Sequence, residues 1–99
     1  MTSPGPYAAE FLRRVRAWPV SSWRHGQRQD IAFSTLNALA QLASVADGRR
    51  RPAVPGAGLH ALPDQLHVLI DDAFTAGADP GQVEAVLRGA AGELGLRIG

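Results

Sequence analysis

The sequence predicts an all-α protein: a small bundle of about four helices, over residues 6–18, 22–47, 62–76 and 80–94, with an irregular Arg/Pro/Gly loop at 48–61. Three observations carry that expectation. Alanine and leucine dominate the apolar set, while the β-branched and aromatic residues that favour strands are sparse. Apolar residues recur at three- and four-residue spacings within each segment. Prolines and glycines stand at the segment ends, where helices start and stop. With 99 residues and a hydrophobic fraction of 45%, the chain has the size of a single domain, 1–99, with a modest core.

The first helix opens after Ser3-Pro4-Gly5-Pro6, and proline suits a first helical turn. Tyr7, Phe11, Val15 and Trp18 form one apolar face. Arg13, Arg14 and Arg16 crowd the last turn, where cations complement the helix dipole, and Pro19 stops the helix. Ser21 or Ser22 is placed to cap the next helix, whose start, at Trp23 or only after Gly26, the pattern leaves open.

That second helix contains the segment the chain is organised around. From Ile31 to Ala46 there are 16 residues without one charge, in a chain that is 19% charged. Ile31, Leu36, Leu39, Leu42, Ala43, Val45 and Ala46 share a wide apolar face, which Phe33 and Ala40 extend. Ser34, Asn37, Gln41 and Ser44 form a narrow uncharged stripe. A helix apolar nearly all round is expected to be buried. Three shorter amphipathic helices cover it only just, so a symmetric dimer with this helix against its own copy is the more comfortable solution. The candidate interface is Ala32, Phe33, Ser34, Leu36, Asn37, Leu39, Ala40, Gln41, Ala43 and Ser44. The small residues Ala32, Ala38, Ala40 and Ala43 permit close approach, and the uncharged stripe supplies interchain hydrogen bonds that set the register.

Gly48 is expected as a left-handed cap, followed by a loop that is the first place for a protease to cut. Pro63 starts the third helix, with Leu62, Leu66, Leu69, Ile70, Ala73 and Phe74 on its core face. Asp79 caps the fourth helix, with Pro80 in its first position and Gln82 completing a variant of the capping box. Val83, Val86, Leu87, Ala90 and Leu94 make its buried stripe, ended by Gly95 and Leu96. Gly89 and Gly92 weaken this helix unless they mark a close helix approach.

Composition excludes several functions. There is no cysteine, hence no disulfide, thiolate metal site or cysteine nucleophile. The N-terminus lacks a secretory pattern, and the longest uncharged run is shorter than the ~18–20 residues of a membrane span, so a cytoplasmic protein without membrane contact is expected. His60, Asp64, His67 and Asp71 have a spacing that suits a metal on a continuous helix, but Pro63 interrupts it. A plain His67–Asp71 surface pair explains the residues, and no metal or other cofactor is expected. Gly56-Ala57-Gly58 lacks the strand and lysine of a phosphate loop. No hydroxyl sits in a nucleophile-elbow pattern, and Asp71 and Asp72 point about 100° apart on a helix, so no catalytic residue is assigned. A subunit that completes another chain's active site stays open.

Charge is unevenly spread. Residues 1–52 hold eight arginines against three carboxylates, and residues 53–99 hold two against six. Folding of one half against the other accounts for this, as does a basic face for an acidic partner. The alternative function is therefore a nucleic-acid-binding regulator. Arg13, Arg14, Arg16, Arg24 and Arg28, near Trp18 and Trp23, are one candidate surface. The other is a spacing: Ala73, Gly77, Val83 and Val86 stand at 0, +4, +10 and +13. This resembles the small residue, turn glycine and two core positions of bacterial repressor helix-turn-helix units, over residues 69–88 only. The resemblance implies a recognition helix that exposes Gln82, Glu84, Ala85 and Arg88. Phosphates would meet Asp71, Asp72 and Asp79 beside it, which disfavours DNA. The leading expectation is a small non-catalytic interaction protein that pairs with itself or with another protein subunit.

Overall fold

The computed structural model describes residues 5–51, 54 and 58–98. It contains four α-helices and, among the described residues, no strand. Helix α1 (Pro6–Arg16) carries proline in its first turn and ends two residues before the expected boundary. The amide of Trp18 donates to the Val15 carbonyl at 3.2 Å and turns the chain out ahead of Pro19. Phe11 and Val15 are fully buried, while Tyr7 and Trp18 pack half-buried at the two ends of the same face.

The second helix does not begin at residue 22. Val20–Arg24 form a 3-10 turn, His25 is extended, and Gly26 takes φ +56 before α2 (Arg28–Asp47) begins. Trp23 gives the reason. On an α-helix continuous with α2 it would lie about 180° from Ala32, on the side away from the core. The break lets the indole turn inward, where it is 1% exposed and meets Trp18 edge-on at 5.0 Å between ring centroids. Neither Ser21 nor Ser22 caps α2: the position before it is Gln27, with no side-chain cap. The Ser22 carbonyl instead accepts from Arg28 Nη1 at 3.0 Å, and that guanidinium lies 4.4 Å from the centroid of the Trp18 ring.

Helix α3 (Leu62–Ala76) follows a short 3-10 turn, Leu59–Ala61, and α4 (Pro80–Leu94) follows after three residues. The Asp79 carboxylate caps α4 by accepting from the Gln82 amide at 3.1 Å. Gly77 (φ +94) closes α3 with the Ala78 amide on the Ala73 carbonyl, and Gly95 (φ +79) closes α4 with the Leu96 amide on the Ala91 carbonyl. These six-to-one bonds are the Schellman arrangement, in which only glycine adopts the left-handed position without strain. The positions read from the sequence as core on α3 and α4 are buried or half-buried.

Helices α1 and α2 each pack on both α3 and α4. The consecutive helices α3 and α4 touch each other far less than each touches α2, so they are not a tight hairpin. Helices α3 and α4 thus each bridge α1 and α2. Arg16 of α1 bonds Asp64 near the start of α3, and Arg51, just past α2, bonds Asp72 near the end of α3. Helices α2 and α3 therefore run in the same general sense.

Gly89 and Gly92 face solvent, and a Cβ built on either meets nothing within 4 Å. Neither marks a close helix approach within this chain. Gly89→Ala and Gly92→Ala should each stabilise α4 by about 0.5–1 kcal/mol, and raise the thermal midpoint by several degrees in a chain of this length. A thermal melt that falls on either change would mean that these backbone positions are not helical.

Candidate protein-interaction site

Helix α2 splits the predicted interface into three groups. Ala32, Leu36, Leu39 and Ala43 are at most 1% exposed and lie in the chain's own core. They are corrected here from interface to core: α3 and α4 cover this stripe, and no surface on them remains for a second chain. Phe33, Ala40 and Ser44 are half-buried along one flank of the helix. Ser34, Asn37 and Gln41 are exposed.

Burial therefore stops well short of the full circumference. Two α-helices, α3 and α4, pack extensively on α2, while α1 packs on α3 and α4. Val45, assigned to the apolar face from sequence, is 73% exposed, and Ala46 is exposed as well. Val45 lies four residues after Gln41 and eleven after Ser34, so the polar stripe's own spacing places it on the outer face. The structure adds it to the site, with Ile31, Ala38 and Leu42 half-buried on the other flank. Sequence reasoning missed Val45 because its type, not its angle, decided the assignment.

The polar groups on this face are quiet internally. Asn37 Nδ2 donates to the Phe33 carbonyl one turn earlier at 3.0 Å, leaving its amide oxygen outward. Thr35, the buried polar residue of the helix, satisfies its hydroxyl on the Ile31 carbonyl at 2.8 Å. No ionisable group lies between Ile31 and Ala46, whereas the exposed faces of α1, α3 and α4 all carry charges.

The C-terminal end of α2 is held by an ion-pair cluster. Arg51 reaches Asp47 at 2.8 and 2.9 Å and Asp72 at 2.7 Å, and its side chain is only 19% exposed. Hydrogen bonds from Arg51, then the Arg49 amide, hold the Asp47 carboxyl well below the usual aspartate range; the bonds of Arg51 to Asp47, then to Asp72, raise the Arg51 pKa. This part of the 48–61 segment is pinned between α2 and α3. The rest of the expected cleavage loop, 52, 53 and 55–57, lies outside the described residues.

The arginines of the alternative reading do not form one open patch. Arg13 and Arg14 both bind Glu10, whose carboxyl is held at about 2, first by Arg13 and then by Arg14. Arg16 spans to Asp64 and to His67 Nδ1, each at 3.0 Å, while His67 Nε2 contacts Asp71 at 3.2 Å. Arg28 is engaged with Ser22 and Trp18, and Arg88 pairs with Glu84 at 3.1 Å while lying over the Tyr7 ring. Arg24 is exposed and has no ion-pair or hydrogen-bond partner among the described residues; Gln82 is exposed beside the Asp79 cap. Of the helix-turn-helix positions, Ala73 and Val83 are buried, Val86 is half-buried and Gly77 is left-handed, but α3 and α4 make little contact with each other.

No group of three or more His, Cys, Asp or Glu placed to hold a metal occurs among the described residues; His60 sits in the 3-10 turn, apart from the His67–Asp71 pair. An open groove of about 250 Å³ runs between Trp18, Val20, Trp23, Leu59 and Pro63, with Arg16, His60 and Asp64 also lining it. No helix among the described residues is long and apolar enough to cross a membrane. No known protein family, curated protein or solved structure matches the chain.

The Arg51 cluster makes a pH prediction. A carboxylate with a lowered folded-state pKa contributes stability that is complete above its unfolded value and is lost as pH falls through the folded one. Arg51→Gln should therefore lower the thermal midpoint at pH 7. The gap from the parent should narrow as pH drops below the ordinary aspartate value of 3.8. A gap that stays constant down to pH 2 would deny the ion pairs a role.

Proposed function

We propose that this protein is a small helical self-association module, without chemistry of its own, that pairs through the outer face of α2. The observation that carries the reading is the juxtaposition of exposure and absent charge. Ser34, Asn37, Gln41 and Val45 face water within a run of 16 residues, Ile31 to Ala46, that contains no ionisable side chain. A solvated helix face normally carries charge, as α1, α3 and α4 do. Interface cores are depleted in charged residues, and hydrogen-bonding amides and hydroxyls serve a face that alternates between water and a partner. α2 is about 30 Å long, so one helical face buries less than a standard interface, and a reversible dimer is expected.

Nucleic-acid binding is less well supported. Arg13, Arg14, Arg16 and Arg88 already sit on carboxylates, and the outer face of α4 holds Glu84, Glu93 and the exposed glycines. Phosphate affinity rests on cations free to displace counterions.

Light scattering or sedimentation across a concentration series should show mass rising from monomer to dimer. Gln41→Arg places like charge on the face twice in a symmetric pair and should weaken dimerisation at least about tenfold, with the thermal midpoint of the dilute monomer unchanged. A mass that stays monomeric at every concentration would overturn the proposal. Steeply salt-dependent DNA binding lost in Arg24→Ala would move the nucleic-acid reading ahead of it.

A further inference from the structure

Arg51 marks where α2 and α3 adjoin. Its guanidinium bonds Asp47 of α2 at 2.8 Å and Asp72 of α3 at 2.7 Å, so these carboxylates lie on the flanks that the two helices turn toward each other. On α2, Ala40 and Phe33 stand seven and fourteen residues before Asp47, a spacing that drifts round a helix by only about 20° per step. Both are half-buried, as residues on the border between a covered and an open side are. On α3, Val68 stands one turn before Asp72 and is 62% exposed. Among the described residues the large apolar side chains left exposed are Val20, Val45 and Val68. The last two belong to the pair of helices with the most extensive mutual packing. The α3 carboxylates around Val68 are all engaged within the chain: Asp64 by Arg16, Asp71 by His67 and Asp72 by Arg51.

We propose that the association surface is a ledge of two helices, the outer face of α2 together with the Val68 side of α3, and that a second copy of this chain covers it. The proposal rests on the reading of α2 as the pairing helix. Area decides between one helix and two. With 20 residues α2 is about 30 Å long, and a strip one helix diameter wide along it covers about 300 Å². Two chains paired through that strip alone bury about 600 Å² in all, the scale of a chance contact in a crystal. With 15 residues α3 adds about 22 Å of helix, which brings the total to about 1,000 Å², where specific but weak dimers begin. Extension across α4 instead fits less well. Its exposed positions include Gln82, Ala85, Gly89, Gly92 and Glu93, with no large apolar side chain among them. An interface keeps an apolar centre inside a polar rim. Phe33, Ala40 and Val68 supply the centre, and the engaged α3 carboxylates supply the rim.

Val68→Arg tests the ledge, with Ala85→Arg on the exposed side of α4 as its matched control. Both are exposed helical positions and arginine is a good helix former, so each dilute variant should keep the parent's thermal midpoint. In sedimentation across a concentration series, Val68→Arg should raise the dimer dissociation constant at least about tenfold, as Gln41→Arg should. Val68→Ala, which removes apolar area without adding charge, should raise it several-fold. Ala85→Arg should leave it unchanged. Dimerisation that is lost in Gln41→Arg but unchanged in Val68→Arg would overturn the ledge and leave pairing through α2 standing. An equal loss in Ala85→Arg and Val68→Arg would overturn the ledge as well. A parent that stays monomeric at every concentration would overturn the ledge and the association reading together.

Discussion

The seating of the α2 stripe Ala32, Leu36, Leu39 and Ala43 between α3 and α4 is the contact on which the rest of the molecule depends. These side chains are small or singly branched, which lets two helices approach one cylinder from adjacent sides. A third neighbour would have closed the circumference, but α1 packs on the far sides of α3 and α4 and leaves the outer half of α2 in solvent. The same packing that builds the core thus creates the uncharged exposed face. Core and candidate site are two sides of one helix.

The ends of α2 are tied with equal care. At the N-terminal end, the Gly26 break directs Trp23 into the core, and Arg28 lies over Trp18 and bonds the Ser22 carbonyl, so the aromatic pair and the helix start are one unit. At the C-terminal end, Arg51 joins Asp47 to Asp72 and so joins α2 to α3. The charge asymmetry of the sequence is partly discharged within the fold: Arg16–Asp64 and Arg51–Asp72 both cross from the basic half to the acidic half. That use of the arginines is the physical reason the basic half presents no continuous cationic surface. It leaves the guanidiniums of Arg24, Arg49, Arg50 and Arg97 without a hydrogen bond or ion pair among the described residues.

Much of this was legible in the chain itself. The bounds of α3 and α4 follow from Pro63, Gly77, the Asp79-Pro80 cap and Gly95, because caps and breakers act on their own backbone and need no distant partner. The start of α2 was not legible, since Trp23 has to choose between helical continuity and burial, and a core formed by other segments decides that choice. That α3 and α4 do not close on each other as a tight pair over 69–88 has a related reason. A glycine turn dictates that the chain reverses, but whether the two helices then touch depends on what else competes for their apolar faces. Here α1 and α2 take those faces.

What the sequence by itself determined is the presence of four helices, the glycine ends of α2, α3 and α4, the Asp79 cap and the uncharged character of residues 31–46, all of them properties of local backbone preference and residue type. Tertiary structure alone decided which side of α2 is core. Leu39 and Val45 are both apolar and both sit on this helix, yet one is 0% and the other 73% exposed. Their residue types do not separate them; the positions of α3 and α4 do, because burial is a relation between elements and only the assembled bundle supplies the second element.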